Sequence, residues 1–237
     1  MDRDVDALSA FYHEDTSVPP YLMRHYWWAY VHPRGVKIFD RGWLINLILL
    51  GNYKRLVREA LAEFETGPLG RILQLACVYG NLTPKLAKRV SEIGGTLDVT
   101  DVLPIQLRNL KWKLPARTPA RLLRMDSTAL DLPPARYDTV LLFFLLHEQP
   151  EDIRQKTVAE ALRVLKPGGR LILVDYGKPF WWNPLRYLLA PFLAVMEPFA
   201  LSLMATPLET RLPATMTSRQ TSYFGGLYQK LVAIKRD

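Results

Sequence analysis

A regular alternation of short apolar runs with helix-like stretches, from Leu69 to Tyr176, is the feature that most constrains the fold of this chain. The apolar runs have the length of buried strands, and the stretches between them repeat their apolar residues with helical spacing. Strands that alternate with helices in this way build a mostly parallel sheet with helices on both faces. The sequence therefore predicts one α/β sheet, whose strands include RILQLAC, GTLDVTD, YDTVLLFFLLHE and GGRLILVDY.

The last segment, TSYFGGLYQKLVAIKRD, predicts a β-hairpin that completes this sheet. Gly225 and Gly226 stand between two strand-like runs, and glycine is favoured at the positive-φ positions of tight hairpin turns. We therefore expect two final strands that pair with each other.

Two flanks interrupt the regular pattern and divide the chain. Residues 1–66 are rich in aromatic and basic side chains, and we interpret them as a helical extension that caps the substrate side and faces a membrane. Residues 67–237 form the α/β domain, with an apolar lid at about 178–208. Prolines 184, 191 and 198 interrupt the apolar segment of the lid, which favours short helices over a single membrane-spanning helix.

Charge and cysteine content restrict the partners and the compartment. The formal net charge of +8 suits an anionic membrane surface or a nucleic acid. The basic residues lack the spacing of a zinc finger or an RNA-binding motif, so we expect no nucleic-acid partner. The single cysteine, Cys77, excludes an intrachain disulfide and a multi-cysteine metal cluster. Because the first residues, MDRDVDALSA, do not resemble a signal peptide, we expect a cytoplasmic protein, peripheral to the inner membrane.

The stretch LQLACVYGNLT, residues 73–83, predicts a strand, a tight turn and a helix of the kind that holds a nucleotide. An ordinary cofactor turn follows the pattern acid-x-Gly-x-Gly-x-Gly. In this chain an amide replaces the acid, residues with side chains replace two of the three glycines, and the bulky Tyr79 stands between the last two pattern positions. The pattern positions are occupied by Gln74, Ala76, Val78 and Gly80. This turn is either a degenerate site or a site altered for another reaction.

Carboxylates follow at the ends of later strands, where ligands bind in a parallel sheet. Asp101 ends the second predicted strand, where a carboxylate accepts hydrogen bonds from both hydroxyls of a ribose. Asp126 ends the third and is followed by Ser127. Together with the altered turn, these residues mark one edge of one sheet, which favours a cofactor site over unrelated strand-end turns.

The segments ALRVLKPGGRLILVDY and YDTVLLFFLLHE resemble class I S-adenosylmethionine-dependent methyltransferases, especially the ubiquinone/menaquinone C-methyltransferase group. The resemblance covers about Leu69 to Asp175 and resumes in the last strands. It implies a Rossmann-like class I methyltransferase fold, with the ribose on Asp101 and the adenine near Asp126 and Ser127. The expected contacts of S-adenosylmethionine are Gln74, Ala76, Val78, Tyr79, Gly80, Asp101, Val102, Asp126, Ser127 and Phe143.

A narrower resemblance is carried by YWWAYVHPRGVKIFDRGWLINLILLGNYKRL, by ACVYGNLT and by LLFFLLHEQP. These segments resemble the rhodoquinone-biosynthesis family, an offshoot of the quinone methyltransferases. The resemblance implies conversion of ubiquinone to rhodoquinone, in which an amino group replaces a ring methoxy group. It also implies that S-adenosylmethionine is the amino donor and that a divalent metal, manganese in particular, takes part.

The altered turn suits such a change of reaction. A carboxylate beside the amino group of the cofactor would keep that amine charged, and an ammonium ion is not a nucleophile. Gln74 offers a neutral dipole instead, so the free-base fraction of the amine is expected to rise. Val78 and Tyr79 would also keep the methionine portion farther from the backbone than glycines do.

Candidate catalytic and acceptor-binding residues lie beside this cofactor site. His147 and Glu148 follow the fourth predicted strand, where they would face the substrate and handle a proton or bind a metal, and Tyr79 is the third candidate. A His at a strand end is also a common hydrogen-bonded turn residue. The aromatic flanks suit a hydrophobic acceptor, and the expected contacts there are Tyr26, Trp27, Tyr30, Trp181 and Trp182.

Two alternatives remain open at this level. The chain is also consistent with an ordinary methyltransferase that acts on a quinone or a lipid and tolerates an unusual turn. A non-catalytic basic module that binds RNA or anionic lipid is the second alternative, and its binding would depend strongly on salt.

Overall fold

The computed structural model describes residues 18–65, 70–116, 118 and 120–236. Its seven strands are β1 Arg71–Leu75, β2 Thr96–Asp101, β3 Ala120–Arg124, β4 Tyr137–Phe143, β5 Leu165–Tyr176, β6 Met216–Tyr223 and β7 Tyr228–Lys235. Its helices are α1 Leu22–Val31, α2 Pro33–Phe39, α3 Gly42–Ile48, α4 Tyr53–Ala62, α5 Leu82–Glu92, α6 Pro104–Lys113, α7 Glu151–Val164, α8 Leu185–Met196 and α9 Ala200–Ala205. Short 3₁₀ turns occupy Leu146–Glu148 and Leu208–Arg211.

The seven strands form one sheet in the order β3-β2-β1-β4-β5-β7-β6. The first five strands in chain order pair in parallel, and β7 runs antiparallel to both β5 and β6. The strand order reverses between β1 and β4, and ligands of open α/β sheets bind at such a reversal. The predicted Rossmann-like α/β fold is confirmed.

The predicted C-terminal hairpin is also confirmed. Strands β6 and β7 pair antiparallel, and the link between them contains Gly225 with φ of 62° and Gly226 with φ of 87°. Residues with side chains seldom adopt such angles, so the two glycines allow the chain to reverse here.

The sheet has an apolar core on each face because its central strands are buried on both sides. In β1, Ile72 packs into one core cluster, whereas Leu73 and Leu75 pack into the other. This alternation follows from the two-residue repeat of a strand. It explains why the central strands appear in the sequence as continuous apolar runs rather than as alternating ones.

The described part of the N-terminal extension is helical, as predicted. Helix α1 is a π-helix, a rare form that often marks functional sites. Leu22 and Tyr26 of α1 share a third core cluster with Leu103 and Ile105, which follow β2. The extension therefore packs over the carboxyl edge of the sheet. The predicted boundary at residues 66 and 67 lies outside the described residues.

The predicted lid consists of short helices, α8 and α9. Helix α8 continues through Pro191 instead of ending there, and Leu193 is its one buried residue. Among the residues that the structure describes, no helix is both long enough and apolar enough to cross a membrane.

Candidate active site

A cavity of about 370 Å³ lies at the carboxyl edge of the sheet, under the N-terminal extension and the lid. Its wall combines residues from the extension, from the ends of β1, β2 and β4, and from α8. It includes most of the residues that the sequence singles out. These are Tyr26, Tyr30, Ala76, Val78, Tyr79, Asp101, Val102, Asp126, Ser127, Phe143, His147 and Glu148.

The turn after β1 keeps the backbone shape of a cofactor turn despite its substitutions. Ala76 has φ of 66°, a conformation that normally favours glycine, and Gly80 has φ of 80°. A Cβ atom on Gly80 would lie 2.3 Å from the hydroxyl oxygen of Tyr53. Gly80 is therefore sterically required. Ala76 stands where the ordinary turn has a glycine, and its backbone is strained because a Cβ atom is unfavourable at positive φ.

Tyr79 connects this turn to the N-terminal extension. Its ring stacks on the ring of Tyr30, with centroids 5.4 Å apart and an interplanar angle of 14°. Its hydroxyl donates to the carbonyl oxygen of Ala29 at 2.6 Å and accepts from Nε2 of Gln106 at 2.8 Å. Tyr79 thus forms part of the cavity wall and holds α1 above the cofactor end of the cavity.

Gly80 itself is not part of the cavity wall, because the extension covers its amide. Its N–H donates to Oδ1 of Asp40 at 2.8 Å, and Lys113 Nζ lies 2.6 Å from the same oxygen. Lys113 also donates to the carbonyl oxygen of Gly80 at 3.1 Å. Sequence reasoning missed this ion pair, because Asp40 and Lys113 are distant in the chain and match no motif.

Gln74 lies beneath the turn rather than at the cavity. Its side chain is fully buried, and Nε2 donates to the carbonyl oxygen of Ala76 at 3.0 Å and to Oγ1 of Thr83 at 2.9 Å. Its Oε1 has no hydrogen-bond partner among the described residues. The predicted cofactor contact of Gln74 is therefore not seen, and the side chain instead supports the start of α5.

Asp101 has the geometry expected of a ribose-binding carboxylate. Oδ2 accepts from the amide of Cys77 at 2.8 Å, and Oδ1 accepts from the amide of Leu103 at 2.8 Å. These bonds fix the carboxylate at the cavity wall and leave one lone pair on each oxygen for a ligand. Burial raises the pKa of Asp101 to about 6, although the two amides oppose this shift.

The residues predicted near the adenine also lie in the cavity wall. Oδ1 of Asp126 accepts from the amide and hydroxyl of Thr128, both at 2.8 Å. Gln149 is fully buried, its Nε2 donates to Oγ of Ser127 at 3.2 Å, and its Oε1 has no hydrogen-bond partner in the described chain. Gln149 is thus a further polar candidate at this end of the cavity, which sequence reasoning did not select.

His147 is the centre of a buried acid–base cluster in the cavity wall. Its Nδ1 lies 2.9 Å from Oδ1 of Asp175, a residue of β5. Its Nε2 lies 3.8 Å from Oε1 of Glu148 and 3.9 Å from Oε2 of Glu197, which follows α8. Asp175 and Glu197 were not predicted. Only the fold brings them to His147, because they lie 28 and 50 residues farther along the chain.

Mutual interactions shift the protonation of this cluster. Burial alone would lower the pKa of His147, but the carboxylates of Asp175, Glu197 and Glu148 outweigh it and raise the pKa to about 9. Burial raises the pKa of Glu148 to about 8, against the attraction of His147, and raises that of Glu197 as well. The hydroxyl of Tyr30 donates to Glu148 Oε1. The cluster therefore holds exchangeable protons at near-neutral pH.

The predicted manganese site is not supported by this arrangement. In residues 18–65, 70–116, 118 and 120–236, no group of three or more His, Cys, Asp or Glu side chains is placed to hold a metal ion. His147 and Glu148 lie close together, with Nε2 of His147 3.8 Å from Oε1 of Glu148.

The predicted acceptor-binding aromatics divide into two groups. Tyr26 and Tyr30 line the cavity, whereas Trp27, Trp181 and Trp182 do not. The exposed fractions of these tryptophans are 39%, 80% and 59% respectively. The predicted acceptor contact of these three tryptophans therefore has no support from the cavity wall and stays a prediction. An aromatic-rich run does not indicate which of its side chains point inward.

Proteins similar to this chain include methyltransferases. Residues 72–169 match the family described as a methyltransferase domain. Over 140 aligned residues, the chain is 30% identical to the ubiquinone/menaquinone biosynthesis C-methyltransferase UbiE of Azotobacter vinelandii. This alignment covers 57% of this chain and 54% of the UbiE protein. It is also 29% identical over 170 residues to an uncharacterized methyltransferase of Synechocystis, and this alignment covers 70% of this chain and 74% of the Synechocystis protein. The chain thus spans about half the length of the UbiE relative.

Solved structures match the fold. A SAM-dependent methyltransferase from Aquifex aeolicus aligns with a TM-score of 0.57 and 20% identity, over 86% of this chain and 98% of that one. An O-methyltransferase family protein from Burkholderia thailandensis aligns with a TM-score of 0.64 and 15% identity, over 88% of this chain and 62% of that one. Residues 72–169 thus match a methyltransferase-domain family, and the chain has the fold of these solved methyltransferases.

Proposed function

We propose that this protein transfers a group from S-adenosylmethionine to the ring of a quinone. The observation that carries the proposal is one cavity whose wall holds two chemically different groups. One is the Asp101 carboxylate at the end of β2, and the other is the His147 cluster. The names of the UbiE relatives support a quinone as the acceptor class.

The residues at the cofactor end match the parts of S-adenosylmethionine. The carboxylate of Asp101 is placed to accept hydrogen bonds from the ribose hydroxyls, and Asp126, Ser127 and Gln149 offer polar atoms for the adenine. When bound, the sulfonium cofactor supplies an electrophilic methyl group or, in its methionine portion, an amino group.

The remaining wall of the cavity suits an apolar ring with an isoprenoid tail. Helix α3 contributes Leu44 and Ile45, and helix α8 contributes Phe192 and Met196. These side chains offer no hydrogen bonds, so orientation of the ring depends on the few polar groups nearby. His147 is the best placed of these groups.

His147 is assigned proton transfer at a ring oxygen. The carboxylate of Asp175 forms an ion pair with the imidazole at Nδ1, and Nε2 lies within 4 Å of both Glu148 and Glu197. A protonated Nε2 stabilises negative charge on a quinone oxygen, and a neutral one accepts the proton of a quinol. Glu148, which accepts a hydrogen bond from Tyr30, exchanges protons with this histidine.

The finer proposal is that the transferred group is the amino group, which converts ubiquinone to rhodoquinone. Its support is the resemblance of the flanks and the altered turn to the rhodoquinone-biosynthesis family. Gln74 lies beneath the turn, so its position does not support the idea that this residue directly activates the donor amine. Methyl transfer to a quinone is the second candidate, and the names of the UbiE relatives favour it.

Isotope labelling separates these candidates. The protein is incubated with ubiquinone and with S-adenosylmethionine labelled with ¹⁵N in the amine or with ¹³C in the methyl group. Amino transfer predicts ¹⁵N in the quinone product, and methyl transfer predicts ¹³C. A product that contains neither label, or no product at all, contradicts the proposal. The control is His147→Gln, which should bind cofactor but form little product.

A further inference from the structure

Helix α3 presents an unusual apolar surface to solvent. None of its residues is buried, and Trp43 and Leu47 are 64% and 63% exposed. A seven-residue helix with this composition normally buries at least one face against its own domain. Large apolar side chains exposed in this way on a folded chain indicate a surface that binds another protein or a membrane.

Helix α8 and the loop before it present a second surface of the same kind. The exposed large apolar side chains there are Phe180, Trp181, Trp182, Tyr187, Leu188, Phe192 and Val195. We call α3 and residues 180–196 together the apolar rim.

The two parts of the rim flank the mouth of the cavity. Of the described residues that line the cavity, Ile48 of α3 and Phe192 of α8 are the two that are also exposed, at 44% and 55%. Residues that both line a cavity and face solvent mark the place where it opens. Leu44, Ile45 and Met196 line the inner wall from the same helices. The cavity therefore opens between α3 and α8, within the apolar rim.

The segments that form the rim carry charges of one sign only. Residues 41–55 and 178–196 contain no aspartate or glutamate, and the acidic residues that border them, Asp40 and Glu197, are half-buried. Their basic residues are Arg41, Lys54, Arg55, Lys178 and Arg186. Exposed tryptophans beside basic side chains match the boundary between the headgroups and acyl chains of an anionic bilayer.

We propose that the apolar rim inserts into the surface of an anionic lipid bilayer, so that the cavity opens into the acyl region and takes its acceptor from the membrane. The lateral entry of the acceptor rests on the function proposed above, whereas the lipid-binding surface does not. Trp28 of α1 is not part of this surface, because it packs on Phe39 and donates to the carbonyl oxygen of His25.

Vesicle flotation of the full chain tests the surface. The probes are vesicles of phosphatidylcholine alone and of phosphatidylcholine mixed with phosphatidylglycerol. The rim variants are Trp43→Ser with Leu47→Ser, and Trp181→Ser with Trp182→Ser. The matched control is Trp112→Ser on α6, which removes a tryptophan that is 89% exposed outside the rim. Calorimetric binding of S-adenosylmethionine shows that each variant is folded.

We expect the wild type and the Trp112→Ser control to float with the anionic vesicles. Each rim variant should lose about tenfold or more in partitioning, because each removes two apolar anchors from the interface. Equal partitioning of the rim variants and the control overturns the proposal. So does a concentration-dependent dimer without lipid that the rim variants abolish, since the rim would then be covered by a second copy.

Turnover of two quinones tests lateral entry separately. The rim variants should lose turnover of a long-tailed quinone in vesicles but keep turnover of a short-tailed, water-soluble one. Equal loss on both quinones overturns lateral entry. If no quinone is converted by any form, the proposed function fails, while rim-dependent flotation would still support the membrane surface.

Discussion

Nδ1 of His147 lies 2.9 Å from Oδ1 of Asp175, and this relationship orients the one buried histidine of the described cavity wall. The carboxylate is itself fixed, because its Oδ2 accepts from the amide of Leu146 at 2.9 Å and its Oδ1 from the amide of Tyr176 at 2.7 Å. A histidine held through Nδ1 has a defined orientation, with Nε2 free for a substrate. Asp175 is thus a positioning residue that acts through His147.

Asp175→Asn tests this role. The neutral amide no longer favours a charged imidazole, so the pKa of His147 should fall from about 9. Turnover should fall by about 10²–10⁴-fold, the range that general acid–base catalysis supplies. Imidazole titration by NMR gives the pKa, and thermal unfolding shows whether the fold persists.

The matched control for this variant is Asp138→Asn. Asp138 is a carboxylate at the other end of the sheet, paired with Lys166 at 2.6 Å. The control should leave both the imidazole titration and turnover unchanged. An unaltered His147 titration in Asp175→Asn would remove Asp175 from the mechanism.

Cofactor binding should depend on pH through Asp101. Ribose hydroxyls donate to the ionised carboxylate, so binding favours the form that has lost its proton. Because the pKa of Asp101 in the free protein is about 6, affinity should be nearly full at about pH 7 and above and should decline as the pH falls through about 6. Calorimetry at a series of pH values measures this decline.

Asp101→Asn should remove that pH dependence. Asp101→Ala should weaken S-adenosylmethionine by about 1–3 kcal/mol at neutral pH. The raised pKa makes the stability of the fold change with pH in the opposite direction to cofactor affinity, since the folded state holds the proton of Asp101 more tightly than the unfolded state does. This group's contribution to stability is therefore present at pH below 4 and is lost as the pH rises through about 6. A wild-type affinity that stays flat from pH 5 to 8 would contradict the assignment.

The fold was predictable from the sequence because its signals are local. The buried strands β4 and β5 contain the continuous apolar runs VLLF and LILV, and Gly225 and Gly226 mark the hairpin by their backbone freedom alone. The carboxyl ends of parallel strands share one edge, so Asp101, Asp126 and His147 could be placed together without coordinates.

The rest of the site depends on contacts between distant segments. Asp175 and Glu197 reach His147 only after β5 and α8 are packed, and Asp40 reaches Gly80 only after the extension folds back. The sequence also does not say which aromatic side chains of a flank turn inward. That choice depends on how each segment packs on the core, so that Tyr26 of α1 lines the cavity whereas Trp181, in the turn before α8, lies outside it.

Ala76→Gly should stabilise the protein. Ala76 has φ of 66°, where a Cβ atom costs about 1–2 kcal/mol, and glycine relieves that strain at a smaller entropic cost. We expect the free energy of unfolding to rise by about 0.5–1 kcal/mol in urea titration.

The control for this variant is Ala62→Gly at the end of α4, where the backbone is helical. Glycine there should lower stability by up to about 1 kcal/mol. If Ala76→Gly destabilises the protein as much as the control does, the turn holds Ala76 without strain.

Gln74→Asp distinguishes a structural role of this residue from activation of the donor amine. The structure shows Gln74 fully buried and donating to Ala76 and Thr83. Aspartate is shorter, has no donor when ionised, and would place a charge in an apolar site. We therefore expect stability, cofactor affinity and turnover to fall together, while the pH–rate profile keeps the shape of the wild type.

Gln74→Asn is the neutral control for this experiment, because it has the length of aspartate and retains the amide. It should lose part of the stability through its shorter reach and less than Gln74→Asp, which also buries a charge. Amine activation predicts a different outcome, in which an opposite charge within about 4–6 Å raises the pKa of the cofactor amine. An upward shift of the pH optimum in Gln74→Asp, with the stability of the wild type and no such shift in Gln74→Asn, would show that Gln74 acts on the cofactor rather than on the turn.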